Sequence, residues 1–253
     1  MIADVNACQI WFDMRGDGEP LLLLHGFMGV GSNWRYVFPT DPEGFRIIAP
    51  DLRGHGRSTN PSGTFAFRQA AADMFALLDS LDVSSFKAVG LSGGGLTLLH
   101  MAVAQPSRVR SMVVVSAPPY FPPEAKAIQR RYSVEMIPEG QRGAIRSWHV
   151  RGEEQLLALI EQTRAMAVQD EDVMFTPDVL KKITAETLIV FGDREYLDAE
   201  LMYPVSLAFE LHAGISGSFL WVVPNGGHGP IFGPHAPAFA TTAASFLRGA
   251  WRR

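Results

Sequence analysis

The chain of 253 residues contains one cysteine, Cys8. It can form no internal disulfide, and this points to a reducing compartment. Charge is sparse as well. Asp, Glu, Lys and Arg make up 19% of residues, and the net charge of −4 gives no basic excess for nucleic acid or an anionic membrane. Long apolar runs are missing. Leu21 to Leu24 is the longest near the N-terminus and is far too short to span a bilayer. No basic segment followed by an apolar stretch and a small-residue cleavage site opens the chain, so the expectation is a cytoplasmic protein with no signal peptide. Repeats, heptads and charged tails are also absent, which gives a scaffold role nothing to rest on. What is present is a hydrophobic content of 47%, enough for the core of one large domain.

The chain is organised around Lys87-Ala88-Val89-Gly90-Leu91-Ser92-Gly93-Gly94-Gly95-Leu96. An apolar run passes through Gly-x-Ser-x-Gly into a helix expected over Leu96 to Ala104, which is the strand–turn–helix context that makes the pattern meaningful. A sharp turn at Ser92 demands small neighbours two residues away, and Gly90 and Gly94 supply them. The turn leaves the Gly93 N–H free, and the positive end of the helix points at the same place. By itself the pattern is weak, with roughly 0.1 chance matches in a chain of this length. A phosphate loop would need a lysine, and Gly95-Leu96-Thr97 has none.

The remaining segments alternate. Short apolar strands are expected at Ile10 to Met14, Pro20 to Leu24, Arg46 to Pro50, Ser111 to Ser116, Thr187 to Phe191 and Phe219 to Val223. Helical spacing joins Phe67, Ala70 and Ala71 to Met74, Leu77, Leu78 and Leu81, and recurs from Ala199 to Leu211 and at Phe239, Ala243, Phe246 and Leu247. This alternation calls for a parallel sheet covered on both faces. It breaks at Pro118-Pro119-Tyr120-Phe121-Pro122-Pro123. The next sixty residues carry two helical patterns, one on Ala125, Ile128, Tyr132 and Met136, the other on Leu156, Leu157, Ile160, Thr163 and Ala167. The expected organisation is one domain, with a core of residues 1–117 and 184–253 and a helical cap inserted at about 118–183.

Sites in such sheets lie beyond the carboxyl ends of the strands. Those ends carry His25-Gly26, Asp51, Ser92, Asp193 with Glu195, and His228. The order nucleophile, acid, base along the chain, with His25-Gly26-Phe27, Asp51 to Ser58, Gly90 to Gly94, Gly192 to Glu195 and Gly227-His228, resembles a serine α/β-hydrolase with a helical cap. That fold has a mostly parallel central sheet flanked by helices. The resemblance spans essentially everything outside the cap.

The resemblance implies Ser92 as nucleophile and His228 as general base and acid, because a serine hydroxyl needs a base to take its proton. His235 is the nearest rival, read as an exposed residue at the start of the last helix. The family usually places an aspartate as triad acid at the position held here by Glu195. Glutamate can do the same work, so Glu195 is preferred and Asp193 is the alternative. At least one of the two must be a solvated turn carboxylate. The oxyanion hole falls to the amides of Phe27 and Gly93. Asp51 to Ser58 reads as a braced structural loop. No cofactor is implied, and no ligand spacing calls for a metal.

The expected reaction is that of a carboxylesterase acting on a small or medium, uncharged, ester-like molecule. Lactonase or C–C bond hydrolase chemistry would use the same residues, and perhydrolase or haloperoxidase activity is a side reaction of such a site. The epoxide hydrolase and dehalogenase branches need a carboxylate where Ser92 stands. The rival from another class is a ligand-binding receptor on this fold with little turnover. No nucleic-acid or membrane partner is expected, and monomer and homodimer are not distinguished.

Overall fold

A computed structural model of the chain describes residues 1–197 and 200–251. An eight-stranded sheet forms its centre. The strands are β1 (Ile2–Val5), β2 (Cys8–Arg15), β3 (Glu19–Leu24), β4 (Phe45–Pro50), β5 (Phe86–Leu91), β6 (Val109–Val115), β7 (Glu186–Gly192) and, beyond a hairpin of β8 (Tyr196–Leu197) and β9 (Glu200–Leu201), β10 (Phe219–Val223). Their order is β1-β2-β4-β3-β5-β6-β7-β10. β1 and β2 run antiparallel to their neighbours, and every pairing from β4 to β10 is parallel.

The apolar runs alternate between two cores, as the pleat dictates. Leu22, Leu24, Ala88, Met112, Val114 and Ile189 face one way, toward α1 (Phe67–Ser80), α2 (Gly93–Ala104) and residues of a later helix. Leu21, Leu23, Val89, Val113, Leu188 and Val190 face the other way, toward a 3-10 turn at Gly31–Tyr36 and the C-terminal helix at Ala236–Leu247. Strands buried on both faces need continuous apolar sequence, and that is why they were visible as runs.

Between β6 and β7 come α3 (Pro123–Arg130), α4 (Glu139–Trp148), α5 (Glu153–Met166) and α6 (Pro177–Leu180), with 3-10 turns at Val134–Met136 and Asp170–Val173. After β9, α7 covers Ser206–Gly214, and the C-terminal helix Ala236–Leu247 is α8. These helices correct the sequence reading in three places. The helix expected through Tyr132 and Met136 stops at Arg130, because Ser133 is extended and arginines from elsewhere in the cap take the freed carbonyls. Arg164 donates to the Tyr132 carbonyl at 2.7 Å, and Arg142 donates to that of Glu135 at 2.9 Å. α4 had no expectation at all, since Gly140 and Gly143 dilute its pattern and Ile145 is its one buried residue. The helix expected from Ala199 begins at Ser206. Ala199 itself lies outside the described residues, and Pro204 bars the residue before it from helical geometry. No described helix is long and apolar enough to cross a membrane.

Side-chain hydrogen bonds fasten the cap to the core. Gln155 Nε2 donates to the carbonyls of Gly54 and Gly56 at 2.8 and 3.1 Å. Asp172 accepts from the N–H groups of Phe67 and Arg68 at 2.6 and 3.1 Å. The N-cap position of α1 is Ala66, which has no side-chain acceptor, so a residue from the cap region satisfies that helix end.

Candidate active site

β5 delivers Ser92 at its carboxyl end. The residue has φ 50° and ψ −114°, a conformation costly for any residue with a Cβ. The turn is held by Ser92 N–H to the Val115 carbonyl at 2.8 Å and by Leu96 N–H to the Ser92 carbonyl at 2.9 Å. A Cβ on Gly90 would lie 2.5 Å from the Gly94 carbonyl oxygen, and one on Gly94 would collide with the Leu24 carbonyl. Both positions therefore require glycine for close backbone approach.

The structure brings Ser92, His228 and Glu195 into one hydrogen-bonded line. Ser92 Oγ lies 2.8 Å from His228 Nε2, and His228 Nδ1 lies 2.7 Å from Glu195 Oε2. A carboxylate accepts, so Nδ1 carries the proton and Nε2 is left to accept from the serine hydroxyl. Glu195 is fully buried. Its second oxygen accepts from Ser116 Oγ at 2.5 Å and from Gly192 N–H at 3.1 Å. These donors hold the carboxylate plane toward the imidazole. Asp193 is exposed on the same turn, with its backbone N–H on the Val223 carbonyl at 3.3 Å, and makes no side-chain bond to His228. His235 is half-buried at the start of α8, where exposure was expected.

The Phe27 and Gly93 amides are neighbours. The position of a Cβ on Gly93 lies 3.3 Å from the Phe27 nitrogen. Among the described residues neither N–H has an acceptor. The loop that carries Phe27 is braced by His25, whose Nδ1 donates to the Gly26 carbonyl at 2.8 Å and whose Nε2 accepts from Leu52 N–H at 2.9 Å. Burial pushes this imidazole down from 6.5 to about 4, so it is neutral near pH 7. His55, fully buried with its ring 4.7 Å from that of Phe27, is also pushed down by burial, then by His25. Asp51 accepts from the Gly31 and Arg57 N–H groups at 2.7 and 3.0 Å, and burial raises its pKa. Arg53 pairs with buried Asp73 at 2.6 Å. The 51–58 loop thus braces the site from behind and contributes no group to the line of three.

A cavity of about 140 Å³ opens over Ser92 and His228. Phe27, Phe67, Leu96, Phe121, Met166 and Met202 make most of its wall apolar, and Gln129, Tyr132 and Tyr203 add polar atoms. Burial pushes the Tyr132 phenol up to about 12. The Tyr203 phenol is raised by burial, then by the Glu195 charge. Both are neutral donors. Among the described residues, no three His, Cys, Asp or Glu side chains are grouped to hold a metal ion. Ser116 and Gln129 went unnoticed in the sequence. Ser116 had a signal, since it closes a strand beside the one that ends at Ser92. Gln129 had none.

Comparison with known proteins agrees with this architecture. Over 108 residues the chain is 36% identical to the dihydrolipoyllysine-residue acetyltransferase component of an acetoin cleaving system from Pseudomonas putida. That match takes in 42% of the chain and 29% of the relative. The chain spans well under half the length of the curated relatives it matches first. A meta-cleavage product hydrolase from Pseudomonas fluorescens IP01 superposes with a TM-score of 0.81 over 99% of this chain and 98% of that one, at 20% identity. A structure described as an N-acyl homoserine lactone degrading enzyme superposes with a TM-score of 0.73 over 98% and 99% of the two chains, at 26% identity. The family model described as alpha/beta hydrolase fold matches residues 19–168, more than half the chain, and on that match and this topology the chain belongs to the alpha/beta hydrolase fold family.

Proposed function

We propose that the chain is a serine hydrolase that cleaves the ester bond of a small, uncharged substrate through an acyl-enzyme, as a carboxylesterase does. The observation that carries the reading is the line Ser92 Oγ–His228 Nε2–Glu195, with contacts of 2.8 and 2.7 Å. His228 takes the Ser92 proton as Oγ attacks the carbonyl carbon, and buried Glu195 stabilises the imidazolium. The carbonyl oxygen gains negative charge and is met by the Phe27 and Gly93 N–H groups, with the N-terminus of α2 behind them. Collapse breaks the ester C–O bond, and His228 gives its proton to the departing alcohol. Water then enters, His228 deprotonates it, and the acyl group leaves Ser92 as a carboxylic acid. A hydroxyl at position 92, where a carboxylate nucleophile would have to stand, supports acyl transfer over epoxide opening or dehalogenation.

The size of the cavity, about 140 Å³, favours short acyl groups. Hydrolysis of p-nitrophenyl esters from acetate to long chains, with Ser92→Ala in parallel, tests the reading. Turnover of the shorter esters that vanishes in Ser92→Ala is the expected result. A folded protein that turns over no ester, or that binds one saturably without release, overturns it and returns the receptor alternative. A lactone is an ester closed on itself and fits the same steps. The 26% likeness to a lactone-degrading enzyme over nearly the whole chain favours including simple lactones in the panel.

A further inference from the structure

The chemistry just described uses the floor of the cavity and gives no task to the polar groups of its wall, of which Gln129 has a buried atom left unpaired. Gln129, on α3, lines the cavity together with Ser92 and His228. The residue is 6% exposed, and its side-chain oxygen is buried with no hydrogen-bond partner among the described residues. Buried polar atoms are nearly always paired, and an unmade bond is costly. The neighbouring cap glutamine shows the usual arrangement. Gln155 is just as buried, but its Nε2 reaches two carbonyls of the 51–58 loop and its Oε1 accepts from Arg151 N–H at 3.2 Å.

Nearby polar groups do not supply what Gln129 lacks. Thr163 Oγ1 donates to the Leu159 carbonyl of its own helix at 3.0 Å. Among the described residues, the Tyr132 hydroxyl, one turn beyond Gln129, reaches only Met28 Sδ at 3.7 Å, a weak acceptor. A primary amide carries both acceptor and donor atoms, and turning its end exchanges which of them faces the cavity. Its complement is a neutral group that can both donate and accept. Among the described residues, no lysine or arginine lines this cavity, which disfavours a carboxylate or phosphate as that group.

We propose that Gln129 determines specificity by hydrogen-bonding an amide or hydroxyl group carried on the acyl part of the substrate. This rests on the ester-hydrolase reading, in which the acyl part stays on Ser92 after the alcohol has left, inside the cavity that Gln129 walls. The natural substrate is then an ester or lactone whose acyl portion is functionalised near the carbonyl, and a plain alkyl ester is a poorer substitute.

Methyl N-acetylglycinate and methyl pentanoate test this, because their acyl chains have the same number of backbone atoms and only the first bears an amide. Acid release in a pH-stat gives the ratio of their kcat/KM values. Wild type is expected to favour the amide ester, and the ratio is expected to fall about tenfold in Gln129→Leu and in Gln129→Met, the second variant serving if the first does not fold. An unchanged ratio, or an equal loss for both esters, overturns the proposal. If wild type turns over neither ester, the ester-hydrolase reading fails on its own account, and calorimetric binding to Ser92→Ala decides. Tighter binding of the amide ester that disappears in Ser92→Ala/Gln129→Leu supports the role of Gln129. Equal binding of the two esters to Ser92→Ala overturns it.

Discussion

The sheet edge and the cap hold their functional groups in different ways. At the edge, backbone geometry does the positioning. Ser92 is fixed by a strained turn, and Gly93 N–H by the helix start that follows it. Glu195 is held by a backbone N–H and by Ser116 at the end of the next strand. In the cap, long side chains do the positioning. Gln155, Asp172 and Arg164 each reach a backbone group distant in sequence, and Arg142 reaches back five residues to the Ile137 carbonyl. Chemistry that must hold atoms to within tenths of an ångström sits on the rigid part. On the proposed reading, recognition of the substrate's periphery falls to the part that can be re-formed without disturbing the sheet.

The largest expected effect lies at the edge. Glu195→Gln removes the carboxylate that fixes the His228 tautomer and turns an amide toward the donors of Ser116 and Gly192. Turnover should fall about 10³- to 10⁴-fold with the fold intact, whereas exposed Asp193→Asn should change it less than about twofold. Steady-state kinetics on any accepted ester separates the two. Equal losses would mean that burial and hydrogen bonding have misidentified the acid.

Acid pH sharpens the comparison at the seam between the two regions. Burial pushes His25 down from 6.5 to about 4, so between these values the unfolded chain binds a proton that the folded chain refuses. The stability that neutral His25 contributes is complete above about pH 6.5. It is lost as pH falls toward about 4, by about 3 kcal/mol in all. His55, His149 and His100 are also lowered, first by burial, and act in the same direction, while Asp51, raised by burial, opposes them. Urea unfolding at pH 7.5, 6, 5 and 4 should show a steady fall. A flat profile would contradict the buried, neutral state of these rings.

The smallest effect lies in the cap. Asp172→Ala leaves the first N–H groups of α1 without their partner and should cost about 1–2 kcal/mol, measured by urea midpoint. The loss of ester turnover should be far smaller than for Glu195→Gln. A collapse of turnover as large as that of Glu195→Gln would mean that the cap holds the chemistry as well as the substrate.

The same contrast explains what could be read in advance. The parallel strands announce themselves because both faces are buried, and the Ser92 turn because only glycine fits around it. Only the resemblance favoured Glu195 over Asp193, since two residues apart on a turn says nothing about which one points inward. The cap resists reading where a side chain from another helix takes a carbonyl that a continued helix would have used. Arg164 on the Tyr132 carbonyl is such a case, and no local pattern encodes it. Gln129 looks like any polar residue of an amphipathic helix until the cavity beside it is seen.

The most direct measurement is independent of the substrate. Intact-mass and peptide analysis after treatment with a fluorophosphonate would report whether Ser92 is an activated nucleophile. One adduct on Ser92, absent in Ser92→Ala and much slower to form in Glu195→Gln and His228→Ala, is the expected result. A folded protein that takes no label at Ser92, or takes it at the same rate without His228, would contradict the assignment of Ser92, His228 and Glu195 as one catalytic unit.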